Sequence, residues 1–203
     1  MRQNKVPKRR PGRKTFSIVV DGETEFWYLQ KLKTNEDLKG ISIQPELPKR
    51  KKLADQFEIV KANTITYDVS IWIVDLDVVI AQNTLAELNK FILEVKGNDN
   101  IKILINAPCL EFWFLMHVSD QGKYYSECGS VGRQFTNFCL LTDYAKSEKY
   151  FIRTNPDIYK RLRPNLQIAI SNAKRRGSFD IDQPRQAKAE IYKIFEILGI
   201  DLK

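Results

Sequence analysis

The octapeptide Ser70-Ile-Trp-Ile-Val-Asp-Leu-Asp77 decides the fold. Its first half is β-branched and aromatic with no polar alternation, which reads as a strand buried on both faces, as strands of a parallel sheet are. It closes on acid. Upstream, Phe16–Asp21 is a run of the same kind, followed by Gly22 and a helical stretch from Thr24 to about Lys33. Downstream, Ile101–Asn106 is a third such run, and Pro108 opens an apolar helix through about His117. Between them, Ile41–Gln44 reads as a strand ahead of the Pro45–Pro48 break. Leu53, Phe57 and Val60 recur at helical spacing. Thr84-x-x-Glu87 reads as a capping box, with Leu85, Leu88, Ile92 and Val95 on one helical face before Gly97-Asn98-Asp99-Asn100 stops it. This alternation over residues 16–118 predicts an α/β core, a parallel sheet with helices on both faces. The rest reads as helical: 133–148, 157–175 interrupted at Pro164, and 185–198, where Ala187, Ile191, Ile194, Phe195 and Leu198 share a face and Gly199 caps the end. The expected division is a basic tail at 1–14, a core at 15–120 and a helical extension at 121–203 packed on it.

The chain has 203 residues, 43% hydrophobic and 29% charged, enough apolar content for a real core. No stretch approaches the roughly 18–20 apolar residues of a membrane span, and the basic N-terminus lacks a signal peptide's apolar region. Cys109, Cys128 and Cys139 make an odd number with no CxxC, which argues against a disulfide scaffold or zinc site and for a reducing compartment. A cytoplasmic protein without a membrane partner is expected. The net charge of +8 is uneven: the first 14 residues hold seven basic residues and no acid, and without those seven the chain has one more basic than acidic residue. Such a tail buries little and adds salt-dependent affinity for phosphate backbones. Arg9, Arg10, Arg13 and Lys14 are its candidate contacts, and Lys174, Arg175 and Arg176 form a second cluster. A solvated helix face is the plainer account of that cluster.

Ligands of open α/β sheets bind beyond the carboxyl ends of the strands. Two strands carry acids there: Asp21-Gly22-Glu23-Thr24-Glu25 and Asp75-Leu76-Asp77. Residues two apart in extended backbone point to the same side, so Asp75 and Asp77 are expected to face one ligand. Two carboxylates about 4 Å apart repel by roughly 4 kcal/mol at an effective dielectric of 20. A divalent cation converts that repulsion into ligation, and magnesium typically adds substrate phosphate to one or two protein carboxylates. Turn and N-cap chemistry is the plainer account of Asp75 and Asp77, and helix-dipole complementarity that of Glu23 and Glu25. Two acid-tipped strands in one sheet favour metal. Gly22 permits a tight turn and close backbone approach where a phosphate would sit.

Ile18-Val-Val-Asp-Gly-Glu-Thr-Glu-Phe-Trp-Tyr-Leu29, Ile71–Asp77 and Ile105-Asn-Ala-Pro-Cys-Leu-Glu-Phe-Trp-Phe-Leu-Met-His117 stand in the order of three blocks of the RloB family, which the chain resembles over residues 16–118. That family has a Toprim-like domain and occurs in bacterial restriction and phage-defence loci, often beside an AAA- or ABC-type ATPase. The resemblance implies a Toprim-like parallel sheet flanked by helices, with a helical C-terminal part. It also implies a nuclease dependent on Mg2+ or Mn2+, acting on DNA or RNA in abortive anti-phage defence with an ATPase partner. A homo-oligomer is compatible with it. The Toprim Glu-Gly falls on Asp21-Gly22, the DxD on Asp75 and Asp77 as metal ligands, and the family's further acids on Glu25 and Glu111. Asp21, Glu25 and Glu111 are thus the catalytic candidates. The chain departs from the pattern at Asp21, where Glu is expected; the loss of one methylene draws the carboxylate back by about 1.5 Å, against a tolerance of about 0.5 Å. The role then passes to Glu23 or Glu25, or activity is impaired. Ala107 also separates Asn106 from Pro108, and the family's C-terminal motif is not evident around 180–190.

Glu111 lies in an almost wholly apolar helix, where a buried acid is costly unless paired, although a first-turn acid is the plainer account. His117 reads as a core or helix-end histidine, and Trp113, Phe114 and Met116 as core. A metal-dependent phosphodiesterase is the leading expectation. One rival is a haloacid-dehalogenase-type phosphatase with Asp75 as nucleophile, against which stands the absence of an acid after Ile101–Asn106. The other is a non-catalytic subunit whose degraded Toprim site docks a partner.

Overall fold

The computed structural model describes residues 14–20, 22–38, 43–46 and 52–202. The apolar runs form strands β1 (Phe16–Val20), β3 (Val69–Asp75) and β4 (Ile101–Ala107), and β2 (Ile43–Glu46) lies at the edge. Between them run α1 (Glu23–Asn35), α2 (Leu53–Asn63), the short α3 (Leu76–Ala81) and α4 (Leu85–Glu94), and α5 (Leu110–Met116) follows β4. These four strands are parallel in the order β2-β1-β3-β4. The edge position of β2 lets it carry Pro45, which has no N–H for a further neighbour.

The period of two divides each strand between two cores. Ile18, Val20, Ile71 and Ile73 join the buried faces of α1 and α5, while Val19, Trp72 and Val74 join those of α2 and α4. Each fully buried aliphatic or aromatic side chain contributes about 1.5–3 kcal/mol. Two polar pairs lie inside: the Trp72 indole donates to Gln56 Oε1 at 2.9 Å and the Ser17 hydroxyl to Ser70 at 3.0 Å. The expected capping box does not form, because the Thr84 hydroxyl donates back to the Val79 carbonyl at 3.2 Å and makes no cap bond. Gly97 and Gly199 do close helices, at φ of 83° and 66°, the left-handed backbone that favours glycine.

The C-terminal part departs further from expectation. Its α-helices are α6 (Cys128–Gly132), α7 (Ile158–Leu162), α8 (Leu166–Arg175) and α9 (Lys193–Ile197). In place of a helix over 133–148 there are 3-10 turns at Arg133–Asn137 and Cys139–Leu141. Phe135 and Tyr144 are nine residues apart, about two and a half helical turns, and would lie on opposite sides of one helix. Their rings instead meet edge to face at 4.8 Å, so the chain folds back on itself. The expected helix over 185–198 begins as a strand, β5 (Lys188–Ala189), which pairs antiparallel with Ala107 and Asn106 of β4. The C-terminal part therefore supplies the fifth strand as well as helices. Buried Glu190 secures the join, accepting from the backbone N–H of Ile105 at 3.0 Å and of Phe179 at 3.1 Å. One core cluster runs through both parts. Among the described residues no helix is long and apolar enough to cross a membrane.

Candidate functional site

From β1 the chain crosses to β2 on one side, and from β3 to β4 on the other. The carboxyl ends of β1 and β3 therefore flank the crevice of this sheet. Asp75 is the last residue of β3 and sits at the N-cap of α3. Its Oδ2 accepts from the Leu110 backbone N–H at 3.3 Å and its Oδ1 from the Asn106 amide at 3.4 Å.

Helical backbone begins at Leu76, so Asp77 lies in the first turn of α3 and the expected extended, same-side geometry does not hold. Asp77 instead accepts from the Cys128 backbone N–H at 3.2 Å. Two sets of groups result. Asp75, Cys109 and Glu111 have their oxygen and sulfur atoms within 4.8 Å of one another, and so do Asp77, Cys109 and Cys128.

Of the first-block acids, Glu23 is exposed and Glu25 is buried, which separates two residues the sequence left equivalent. Asp21 lies outside the described residues. Gly22 has extended backbone, at φ −140° and ψ 172°, so it makes no tight left-handed turn. Its reason is space: a Cβ there would stand 2.8 Å from Glu25 Oε2, which folds back over it.

Glu111 is 1% exposed and lies beside Asp75 and Cys109. Its Oε1 accepts from the Tyr144 hydroxyl and pairs with Lys146 Nζ, each at 2.7 Å, and its Oε2 lies 2.6 Å from Cys128 Sγ. Burial, then the Glu111 and Glu25 charges, push the Tyr144 hydroxyl well above its ordinary pKa, so it remains a neutral donor. Burial opposes the charge on Lys146, but the Glu111, Asp75 and Glu25 carboxylates outweigh it and raise its pKa. Burial, with the Glu111 charge, also raises Asp77, over the opposing hydrogen bonds and the charge of Lys146. The field at the site is thus acidic, with Lys146 within it.

Tyr144 and Lys146 were not read from the sequence. They lie 33 and 35 residues beyond Glu111 on an irregular segment, and no spacing rule connects them. The cysteine reading is corrected as well: Cys109 and Cys128 form a disulfide, with Cα atoms 5.8 Å apart, and Cys139 is a free, exposed thiol. The pairing escaped the sequence because 19 residues and a reversal of direction after α5 separate the partners.

The basic residues divide. Arg9, Arg10 and Arg13 lie outside the described residues, while Lys14 and Lys174 are exposed. Arg175 and Arg176 both pair with Asp120, at 2.8 Å for Arg175, so this cluster carries its own counter-charge. His117 is core: burial pushes its pKa down to about 4, and Nδ1 lies 3.0 Å from the Trp113 carbonyl oxygen.

Residues 16–198, most of the chain, match the family model described as RloB-like protein. No curated protein and no solved structure gives a significant match.

Proposed function

We infer, for a chain that belongs to the RloB family, a metal-dependent phosphodiesterase that cuts nucleic acid in bacterial anti-phage defence. Gathering Glu25, Asp75, Asp77 and Glu111 beyond the carboxyl ends of three neighbouring parallel strands, β1, β3 and β4, is the observation that carries this reading. Buried Glu111 pairs there with Lys146, and the Glu111, Asp75 and Glu25 carboxylates all act on that cation. The donor set suits a hard divalent cation, since all four acids offer oxygen. Asp75, Asp77 and Glu111 would hold Mg2+ or Mn2+, which when bound supplies Lewis-acid polarisation of a phosphoryl oxygen and a more acidic water. Glu25, buried beside Gly22, would accept a proton from the attacking water. Lys146 would neutralise charge developing on the phosphoryl oxygens, and Tyr144 would hold Glu111 in place. Exposed Lys14 and Lys174 would add backbone affinity without sequence reading. A cytoplasmic location and an AAA- or ABC-type ATPase partner belong to the same proposal.

A second reading is favoured by one observation. Lys146 is paired with Glu111, and the bridged Cys109 sulfur lies within 4.8 Å of both the Asp75 and the Asp77 carboxylates, an arrangement that also suits a subunit that docks its partner and does not cut.

Incubating wild type and an Asp75→Ala/Asp77→Ala variant with plasmid, single-stranded DNA and total tRNA, in Mg2+ or Mn2+ against EDTA, separates the two. Cleavage by wild type alone, lost in EDTA, supports the phosphodiesterase. No cleavage of any substrate, with the ATPase absent or present, supports the docking subunit.

A further inference from the structure

The Cys109–Cys128 bridge lies in the middle of the acidic groups. The Cys109 sulfur belongs both to the set with Asp75 and Glu111 and to the set with Asp77 and Cys128. Both cysteines are buried, and each is fixed by an element the fold already holds: Cys109 at the N-cap of α5, Cys128 as the first residue of α6. The groups around Cys128 do not suit a disulfide sulfur. Glu111 Oε2 lies 2.6 Å from Sγ, yet a bridged sulfur has no hydrogen to donate to it. Lys146 Nζ, itself paired with Glu111 Oε1, lies 3.4 Å from the same sulfur, a cation positioned to stabilise a thiolate.

We propose that Cys109 and Cys128, once reduced, form with Asp77 and Glu111 a site for a thiophilic divalent cation of the zinc class. A dithiol reductant transfers two electrons and two protons to the bridge. The S–S bond breaks, two thiols form, and the reductant leaves as its own disulfide. Binding of the cation then releases the two thiol protons, and two thiolates and two carboxylates complete four-coordination. Tetrahedral zinc with sulfur at about 2.3 Å sets its two sulfurs about 3.8 Å apart, a separation that side-chain rotation supplies while the backbones stay in place. In the bridged form the sulfurs are not thiolates and bind no such cation. The site runs against the sequence expectation of no zinc centre, because its ligands come from three separated segments with none of the usual CxxC spacing.

Cobalt(II), a spectroscopic substitute for zinc, tests this without reference to cleavage, so failure here leaves the phosphodiesterase reading intact, and the converse. Wild type reduced with a phosphine and wild type oxidised with diamide are each titrated with Co2+, then with Zn2+ in competition. The reduced protein is expected to bind one Co2+ with a thiolate-to-cobalt charge-transfer band that Zn2+ abolishes. Affinity in the oxidised protein is expected to fall about a hundredfold or more, with no such band. Cys128→Ser should lose about half the band, and Cys139→Ser should keep all of it. A reduced, folded wild type with no charge-transfer band would overturn the proposal. So would a band that survives in Cys109→Ser/Cys128→Ser. If the cysteine variants fail to fold, the reduced and oxidised wild-type arms still decide.

Discussion

Two charged regions of this molecule are built on opposite principles. At the end of α8, Arg175 and Arg176 share the counter-ion Asp120, and their charge is spent inside the protein. At the carboxyl ends of β1, β3 and β4, four acids converge around Lys146, which pairs with Glu111. Burial drives the Asp77 pKa up and the Glu111 charge adds to it, so the fold works against the ionised form there. The first region is arranged for stability. The second concentrates buried carboxylates, whose charge a bound cation would neutralise. Net charge alone obscures this, since the basic excess lies in the tail while the organised electrostatics are acidic.

The contrast can be broken at several points. The largest effect is expected from Gly22→Ala, whose Cβ displaces the Glu25 carboxylate from 2.8 Å. Cleavage should fall about a hundredfold, as misplacement of a catalytic group by about 1 Å does, with little change in Tm. Equal losses of activity and Tm would show Gly22 to be a packing residue. Next comes Lys146→Met, which removes the cation on buried Glu111. A fully buried pair broken this way costs about 3–5 kcal/mol. Lys146 is half exposed, so about 1–2 kcal/mol is expected, a few degrees of Tm by calorimetry.

Asp77→Asn tests the electrostatics by pH. A carboxyl raised above its unfolded value contributes stability that is complete below the ordinary carboxylate pKa of about 4 and is lost as pH rises through the raised value. In EDTA, wild type should therefore unfold at a lower temperature than Asp77→Asn near neutrality, and the gap should close toward pH 4. A constant gap would mean that Asp77 contributes only through its bond from the Cys128 N–H. The smallest effect belongs to the other region: Asp120→Ala removes an exposed pairing and should barely move the midpoint of a denaturant melt. A larger loss would erase the contrast.

How much of this was legible in sequence follows from where the information lay. Phe16–Val20, Val69–Asp75 and Ile101–Ala107 were readable because burial on both faces demands uninterrupted apolar residues, and the acids that end the first two runs in sequence marked the crevice. In the segment from 121 on, the helices on either side of Pro164, α7 and α8, were readable too, but 133–148 was not, because its apolar residues follow no single period. Phe135, Tyr144 and Tyr150 meet in an aromatic cluster that only the tertiary fold brings together. Asp75 and Asp77 were picked out by the strand they follow, whereas Glu25 and Glu111 were singled out only by the family resemblance. Tyr144, Lys146 and the Cys109–Cys128 bridge were not, since each reaches the site from a distant loop or helix start. Even the DxD misled in detail: its spacing suggested one extended strand, whereas the helix begins between its two acids and turns them to different partners.

The central claim is that these acids form a divalent-cation site, and Mn2+ binding followed by electron paramagnetic resonance tests it most directly. The oxidised protein is used, so that the cysteines take no part. The account predicts that wild type takes up Mn2+, that Mg2+ displaces it, and that Asp75→Asn/Asp77→Asn takes up none while remaining folded. Wild type that leaves all Mn2+ free, or a double variant that binds it as tightly as wild type, would contradict the account.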